Sequence, residues 1–519
     1  MDHVSQPSKT LNRYRNQIPC YNSPTMTARY QALAQQLARS IQEGLLQPGE
    51  RLPSLRTFCQ DQGTSLMTAL AAYRHLEDLG QIEAVPRSGY RVLASAPQPL
   101  TRPAIPRSRL TAFNTRRNDI IAQVLLAMAD PNLLPLGFGC PSPGLFPLAS
   151  LRRLTADLLN AEKELWVSYS PAPGPLELRR QIARRYQARG LRVGPEEVLV
   201  TSGAMEALSL SLQLLAAPGD LVAVECPTFF GIADAARRAG AQVLELPGDP
   251  DGGLDPARLA SACARRAVRA AVLMPSFANP TGSLMDPQRR RAWMEVLQRH
   301  GVALLEDDVY GELAWDGHKV EPLCALPRAD GLPNLLVGSL SKTLMPGGRI
   351  GYVVARSPWI ERLTDLKNTS TLFNVTLSEH LAAEALGSGL YDRHLRRLIP
   401  GIQAGVRKLR SCIAQHFPPG TRVSDPRGGF LLWVELPKGS DGLDLFRAAM
   451  DRGISLAPGC VFSLGPGLER FIRLNGAASG DFDQAMAVLG QLAGAGPASR
   501  AGWTGARRAG DGPPPHTRP

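Results

Sequence analysis

The chain lacks the features that mark several protein classes. Its eight cysteines stand singly, with no Cys-x-x-Cys pair and no histidines at ligand spacing, so neither a zinc site nor a disulfide framework is expected. Long apolar runs are missing too. The best stretch, Ala204 to Ala217, is broken by Glu206, two serines and Gln213, and falls short of the roughly 20 residues a membrane-spanning helix needs. The first residues, with Asp2 and His3 among polar neighbours, have no apolar core of a secretory signal. No internal repeat is found. A cytosolic protein with reduced thiols is the expectation.

What is present is an ordinary globular composition, 44% hydrophobic and 20% charged over 519 residues. That length suggests about three folding units at roughly 100 to 200 residues each. The formal net charge is +12, and residues 1–110 carry half of the excess, with 13 Lys/Arg against 7 Asp/Glu. A basic balance concentrated in that segment is what an electrostatic footprint on a polyanion needs. Residues 1–26 are polar and irregular, and 493–519 are rich in Gly, Pro, Ala and Arg; both ends are expected to be disordered. Residues 94–117 are read as a linker, since Ala94 to Leu110 holds four prolines and no apolar period.

Between these segments, residues 27–93 read as one small unit. Tyr30, Leu33, Leu37 and Ile41 recur at helical spacing before Gly44. Ser54 can cap a second helix ending at Gly63, and Ser65 a third running from Leu66 to Leu79. Two short strands then flank a basic tip, Pro86-Arg87-Ser88-Gly89. Two helices joined by a tight turn and followed by a strand pair give a winged helix-turn-helix, a fold that lays its second helix in the DNA major groove.

Residues 118–492 read differently. The runs EVLVTS, LVAVEC, QVLEL, AAVLMP, VALLED, LLVGS and GYVVA alternate with helical segments, which predicts an α/β domain with a mainly parallel sheet covered on both faces. After about Leu390 a long helix and the strands GGFLLWVEL and FIRLN predict a smaller α+β domain. In such a sheet ligands gather at the carboxyl ends of the strands, where the chemically suggestive residues fall. Thr201-Ser202-Gly203-Ala204 opens a helix after a strand, a place where amides and the helix dipole receive a phosphate. Asp307 ends VALLED, with Asp308 adjacent and Tyr310 three residues on. Lys342 lies among small hydroxyl residues in SLSKTLMPGGRIGY, between Ser339 and Arg349.

Two resemblances follow from these segments. GLLQPGERLPSLR and HLEDLGQIEAVPRSGYRV are similar to the GntR winged-helix pattern, which implies DNA contacts from Arg56, Ser65, Thr68 and Arg87. The chain departs from that pattern at Leu66, where many members place a base-reading arginine. SLSKTLMPGGRIGY resembles the Schiff-base lysine segment of the aspartate aminotransferase superfamily, the fold-type I proteins that use pyridoxal 5'-phosphate (PLP). That resemblance implies that Lys342 is the imine-forming catalytic lysine and that Ser202, Gly203, Ala204, Ser339 and Arg349 hold the phosphate. It further implies that Asp307 pairs with the ring nitrogen, that Asn279 and Tyr310 bond the phenolic oxygen, and that Phe229, which the family spacing favours over the adjacent Phe230, stacks on the ring. Tyr169 would reach the phosphate of a neighbouring subunit, implying a homodimer, and Arg473, with Asn279, would hold a substrate carboxylate.

The combination resembles the MocR subgroup of GntR regulators. It implies a PLP-dependent transcriptional regulator that senses an amino acid or amine by external aldimine formation at Lys342. The alternative is an active aminotransferase with an auxiliary DNA-binding domain.

Overall fold

The structure, a computed structural model, describes residues 24–85, 89–93, 115–127, 130–249, 253–327 and 331–494. Most of the ends expected to be disordered (1–23 and 495–519), most of the linker and the tip of the wing, including Arg87, lie outside the described residues, whereas Pro24 to Met26 and Ala493 to Gly494, expected to be disordered, belong to helices. The chain divides into two compact units, Met1–Gln98 and Pro99–Pro519.

In the first unit α1 (Pro24–Gln42), α2 (Leu55–Asp61) and α3 (Leu66–Asp78) precede the antiparallel pair β1 (Ile82–Val85) and β2 (Gly89–Val92), with Ile82 opposite Val92. Local chemistry places each boundary. Ser54 Oγ accepts the amide of Thr57 at 3.1 Å and Ser65 Oγ that of Thr68 at 3.2 Å, so each serine satisfies an amide that the following helix leaves over. Gly63 turns the chain between α2 and α3 at φ +53°, a left-handed conformation that glycine adopts at little cost. Leu33, Leu37, Phe58, Ala72, Tyr73 and Leu76 close the core, and the Tyr73 hydroxyl donates to the Pro53 carbonyl at 2.9 Å.

The second unit opens with α4 (Thr115–Ala127), which begins three residues inside the segment expected to be linker. Arg117 anchors it, donating to Asp234 at 2.9 Å and to the Val461 carbonyl at 3.1 Å. The main sheet comprises β3 (Val198–Ser202), β4 (Leu221–Cys226), β5 (Gln242–Asp249), β6 (Gly253–Leu254), β7 (Val268–Leu273), β8 (Ala303–Asp307), β9 (Asn334–Ser339) and β10 (Ile350–Val354). Their order is β3-β10-β9-β8-β7-β4-β5-β6. The five strands from β9 to β5 run parallel, and their nearly complete burial explains why they read as continuous apolar runs.

β10 is antiparallel to both of its neighbours, β9 and β3. The segment between Ser339 and Ile350 holds only a short turn of helix at Pro346–Gly348, too little for a crossover, so the chain must double back. That reversal carries Lys342. A four-stranded antiparallel sheet centred on Leu431–Glu435 and Phe471–Asn475 follows the 27-residue helix Leu390–His416. Among the described residues no helix is long and apolar enough to cross a membrane, and no group of three or more His, Cys, Asp or Glu residues is placed to hold a metal.

Candidate functional site

A cavity of about 200 Å³ opens at the carboxyl end of the main sheet. The end of β8 brings Asp307 and Tyr310, the reversal after β9 brings Ser339, Lys342 and Arg349, and the helix Ala204–Leu215 brings its first residue. Phe229, Asn279 and Arg473 complete the expected set that faces this space. The set runs from Ala204 to Arg473, more than two hundred residues of sequence, and the sheet order collects it.

On one side the arrangement suits an anion. Arg349 sits at φ +52°, an uncommon conformation for a residue with a Cβ, and directs a guanidinium nitrogen to Ser341 Oγ at 3.4 Å. Ser341 N donates to Ser339 Oγ at 3.1 Å, and that oxygen lies 3.0 Å from both Ser341 Oγ and the Ile350 carbonyl. Gly203, at φ +83°, packs so closely on Arg349 that a Cβ there would overlap the guanidinium. Ser202 is exposed and does not face the cavity; its amide donates to the Glu206 carboxylate. A glycine that must stay small, a helix start, two hydroxyls and an arginine form a cradle with the chemistry of a phosphate site.

On the other side the groups suit an amine. Lys342 Nζ donates to the Gly139 carbonyl at 2.7 Å. Burial lowers its pKa, the charges of Arg473 and Arg349 lower it further, and Cys140 and Asp307 oppose them. A lysine so placed more readily presents the neutral, nucleophilic amine. Arg473 is 4% exposed and donates to Asn279 Oδ1 at 2.9 Å and to the Gly137 carbonyl at 2.6 Å, while its Nε has no partner. Both partners are neutral, and burial lowers its pKa to about 10. A buried cation without a counter-charge is costly, and a ligand carboxylate would relieve that cost.

The sequence left Asp307 and Asp308 hard to tell apart. In the structure Asp308 is engaged elsewhere, by both terminal nitrogens of Arg189 at 2.5 and 2.9 Å and by the Tyr186 hydroxyl at 3.1 Å. Asp307 is left to face the cavity, 2% exposed, with one oxygen accepting the Val309 amide at 3.3 Å. Burial pushes its pKa from 3.8 up to about 7, against the Val309 hydrogen bond and with a further rise from Asp308.

The folded chain therefore binds this proton more tightly than the unfolded chain, so the group costs stability increasingly from pH 4 to about pH 7. Asp307→Asn is expected to stabilise the cofactor-free protein by about 4 kcal/mol above pH 7 and to change nothing below pH 4. Thermal melts across that range check it, and a gain that persists at low pH would contradict the titration of Asp307.

Phe229 and Phe230 both line the cavity, with ring centroids 4.6 Å apart, so geometry does not choose between them. Tyr169 lies outside the cavity, 79% exposed and stacked on Phe373 at 4.5 Å. Several participants escaped sequence reading. Ser341 carried a signal, a second hydroxyl beside the lysine, but Gly137 and Gly139 carried none, because they act through backbone carbonyls. Nor did Val124 and Leu125 of α4, which line the cavity.

In the first unit Arg56 and Ser65 are exposed. Thr68, expected as a DNA contact, is instead turned inward: it is 4% exposed and its hydroxyl lies 2.8 Å from Ser65 Oγ. The need to close the helix start has claimed that side chain.

Comparison with known proteins agrees with both units. Residues 135–490 match the family of class I and II aminotransferases, and residues 29–92 match the gntR family of bacterial regulatory proteins. The uncharacterized HTH-type transcriptional regulator YdcR of Escherichia coli is 38% identical over 89% of this chain and 98% of its own length. This chain belongs to the MocR-type GntR regulators. Another similar regulator, TauR of Rhodobacter capsulatus, is 29% identical over 85% of the MocR-type chain and 91% of its own. The aminotransferase-like part is similar to α-aminoadipate aminotransferase LysN of Thermus thermophilus, solved in complex with N-(5'-phosphopyridoxyl)-L-leucine. That match has 30% identity and a TM-score of 0.67, and covers 73% of this chain and 97% of the other. Class I and II aminotransferases depend on PLP, and the cradle and lysine of this MocR-type chain fit that cofactor.

Proposed function

We propose that this chain is a cytosolic, PLP-dependent transcriptional regulator. Residues 27–93 are assigned to DNA recognition, and 118–492 to a cavity that takes an amino acid or amine as effector. The observation that carries the reading is the buried Arg473, held by neutral partners in the cavity that Lys342 also lines. In this reading Arg349, Ser339, Ser341 and the start of the helix Ala204–Leu215 hold the PLP phosphate. Asp307 holds a proton on the ring nitrogen, Asn279 and Tyr310 orient the phenolic oxygen, and Arg473 receives the effector's carboxylate. Bound PLP would supply an aldehyde carbon that captures an amine covalently and a ring that accepts electrons. Lys342 would provide the amine that holds the cofactor.

Trp166, Val167, Tyr169, Leu372 and Val375 are exposed, on two segments that meet where Tyr169 stacks on Phe373 and Thr376 donates to the Ser168 carbonyl. A second copy of the chain is the proposed occupant of that surface, which supports a homodimer. Two winged helices in one particle then engage two half-sites, and effector binding changes their engagement.

The test is a gel-shift titration of the full chain on the DNA beside its own gene, with PLP and a panel of amino acids and amines. A retarded complex whose affinity responds to one effector is expected; no retardation under any condition overturns the regulator. The retention of Lys342, Asp307 and Arg473 together in the cavity favours a second reading, an active aminotransferase. Sustained turnover of an amino acid with a 2-oxo acid would select it.

A further inference from the structure

The solvent face of α3 is apolar where a DNA-reading helix usually carries hydrogen-bonding groups. Leu66 is 53% exposed and Met67 46%, and neither belongs to the core of the unit. Leu70 and Ala71, one turn further on, are half-buried, and Arg74 is the first cation of the helix. The opposite face is fixed by Ala69, Ala72, Tyr73 and Leu76, all fully buried. Rotating the helix to hide Leu66 and Met67 would therefore expose that core. The nearby hydroxyls do not compensate, because Ser65 and Thr68 are bonded to one another and to the helix start.

Two large neighbouring apolar side chains held in water signal a partner that covers them. From Arg51 to Leu76 the segment carries three exposed arginines, Arg51, Arg56 and Arg74, against one acid, Asp61, a local excess that complements phosphate and favours DNA over an apolar protein surface as the occupant. Inside the major groove the apolar feature that a base pair offers is the 5-methyl group of thymine. Guanine, by contrast, is read by the bidentate arginine that this helix start lacks.

We infer that Leu66 and Met67 read thymine methyl groups in the major groove, so that the operator half-site carries thymines opposite the first turn of α3. This rests on the DNA-binding reading above and specifies its sequence preference.

The experiment selects a duplex from a randomised library with the full chain, then replaces each thymine of the enriched half-site by deoxyuridine, which deletes only the methyl group. At one or two positions affinity is expected to fall about fourfold per methyl, the value of burying one carbon group. In the double variant Leu66→Ala, Met67→Ala that dependence disappears, while the melting temperature of the chain stays unchanged because both side chains lie outside the core. A retarded complex indifferent to every deoxyuridine, or a methyl dependence that survives in the double variant, overturns the inference and leaves DNA binding standing. So does a double variant that keeps its DNA affinity and loses self-association in sedimentation, which would make the patch a contact between copies. Failure to enrich any duplex removes the DNA-binding reading itself.

Discussion

Lys342→Ala is expected to abolish covalent attachment of PLP altogether. Borohydride reduction followed by mass spectrometry of the peptides should find stoichiometric cofactor on wild-type chain and none on the variant, and the yellow colour of the purified protein should go with it. The reason lies in a comparison of two lysines. Lys367 is fully buried, yet its ammonium is surrounded by Glu206 Oε1 at 3.0 Å, Thr371 Oγ1 at 2.9 Å and Asn374 Oδ1 at 2.9 Å. Those three acceptors engage the Lys367 nitrogen, which also does not line the cavity. Lys342 has a single carbonyl partner, lines the cavity and is pushed toward its neutral form by burial and two arginines. Cofactor that remains covalently bound in the variant would place the attachment on another residue and remove Lys342 from the site.

Arg473→Gln is expected to weaken binding of amino acids by about 30-fold to a few thousand-fold, as when one partner of a buried, hydrogen-bonded charge pair is truncated. The decarboxylated amine of the same side chain should bind the variant and the wild type nearly alike, because it has nothing to place against the guanidinium. Titration of the cofactor's absorbance with each compound separates the two cases. A uniform loss for amino acid and amine would mean that Arg473 supports the cavity through Asn279 and Gly137 rather than receiving a carboxylate.

The residues differ in how much of this could be foreseen. Winged helices and buried strands were legible because their signals are local: serine caps at Ser54 and Ser65, and apolar runs of strand length such as VALLED. Roles for Lys342, Arg349 and Arg473 were implied by the resemblance of their segments to the aspartate aminotransferase superfamily, and the structure brings the three to one cavity. Orientation was not. Thr68 has the residue type of a DNA contact, but its hydroxyl is committed to the helix start, and Leu66, read as a gap in the pattern, is what the helix exposes. Asp307 and Asp308 are chemically identical neighbours, and Arg189, more than a hundred residues away, separates them.

By itself, then, the sequence determined the two kinds of unit and the inventory of groups, because periodicity, caps and residue chemistry act over a few neighbours. The tertiary structure decided which groups meet and which are left without a partner. The antiparallel return of β10 brings Arg349 beside Gly203, and the small sheet carries Arg473 to Asn279. Those pairings depend on strand order and on burial, which are properties of the whole chain and are written in no single segment of it.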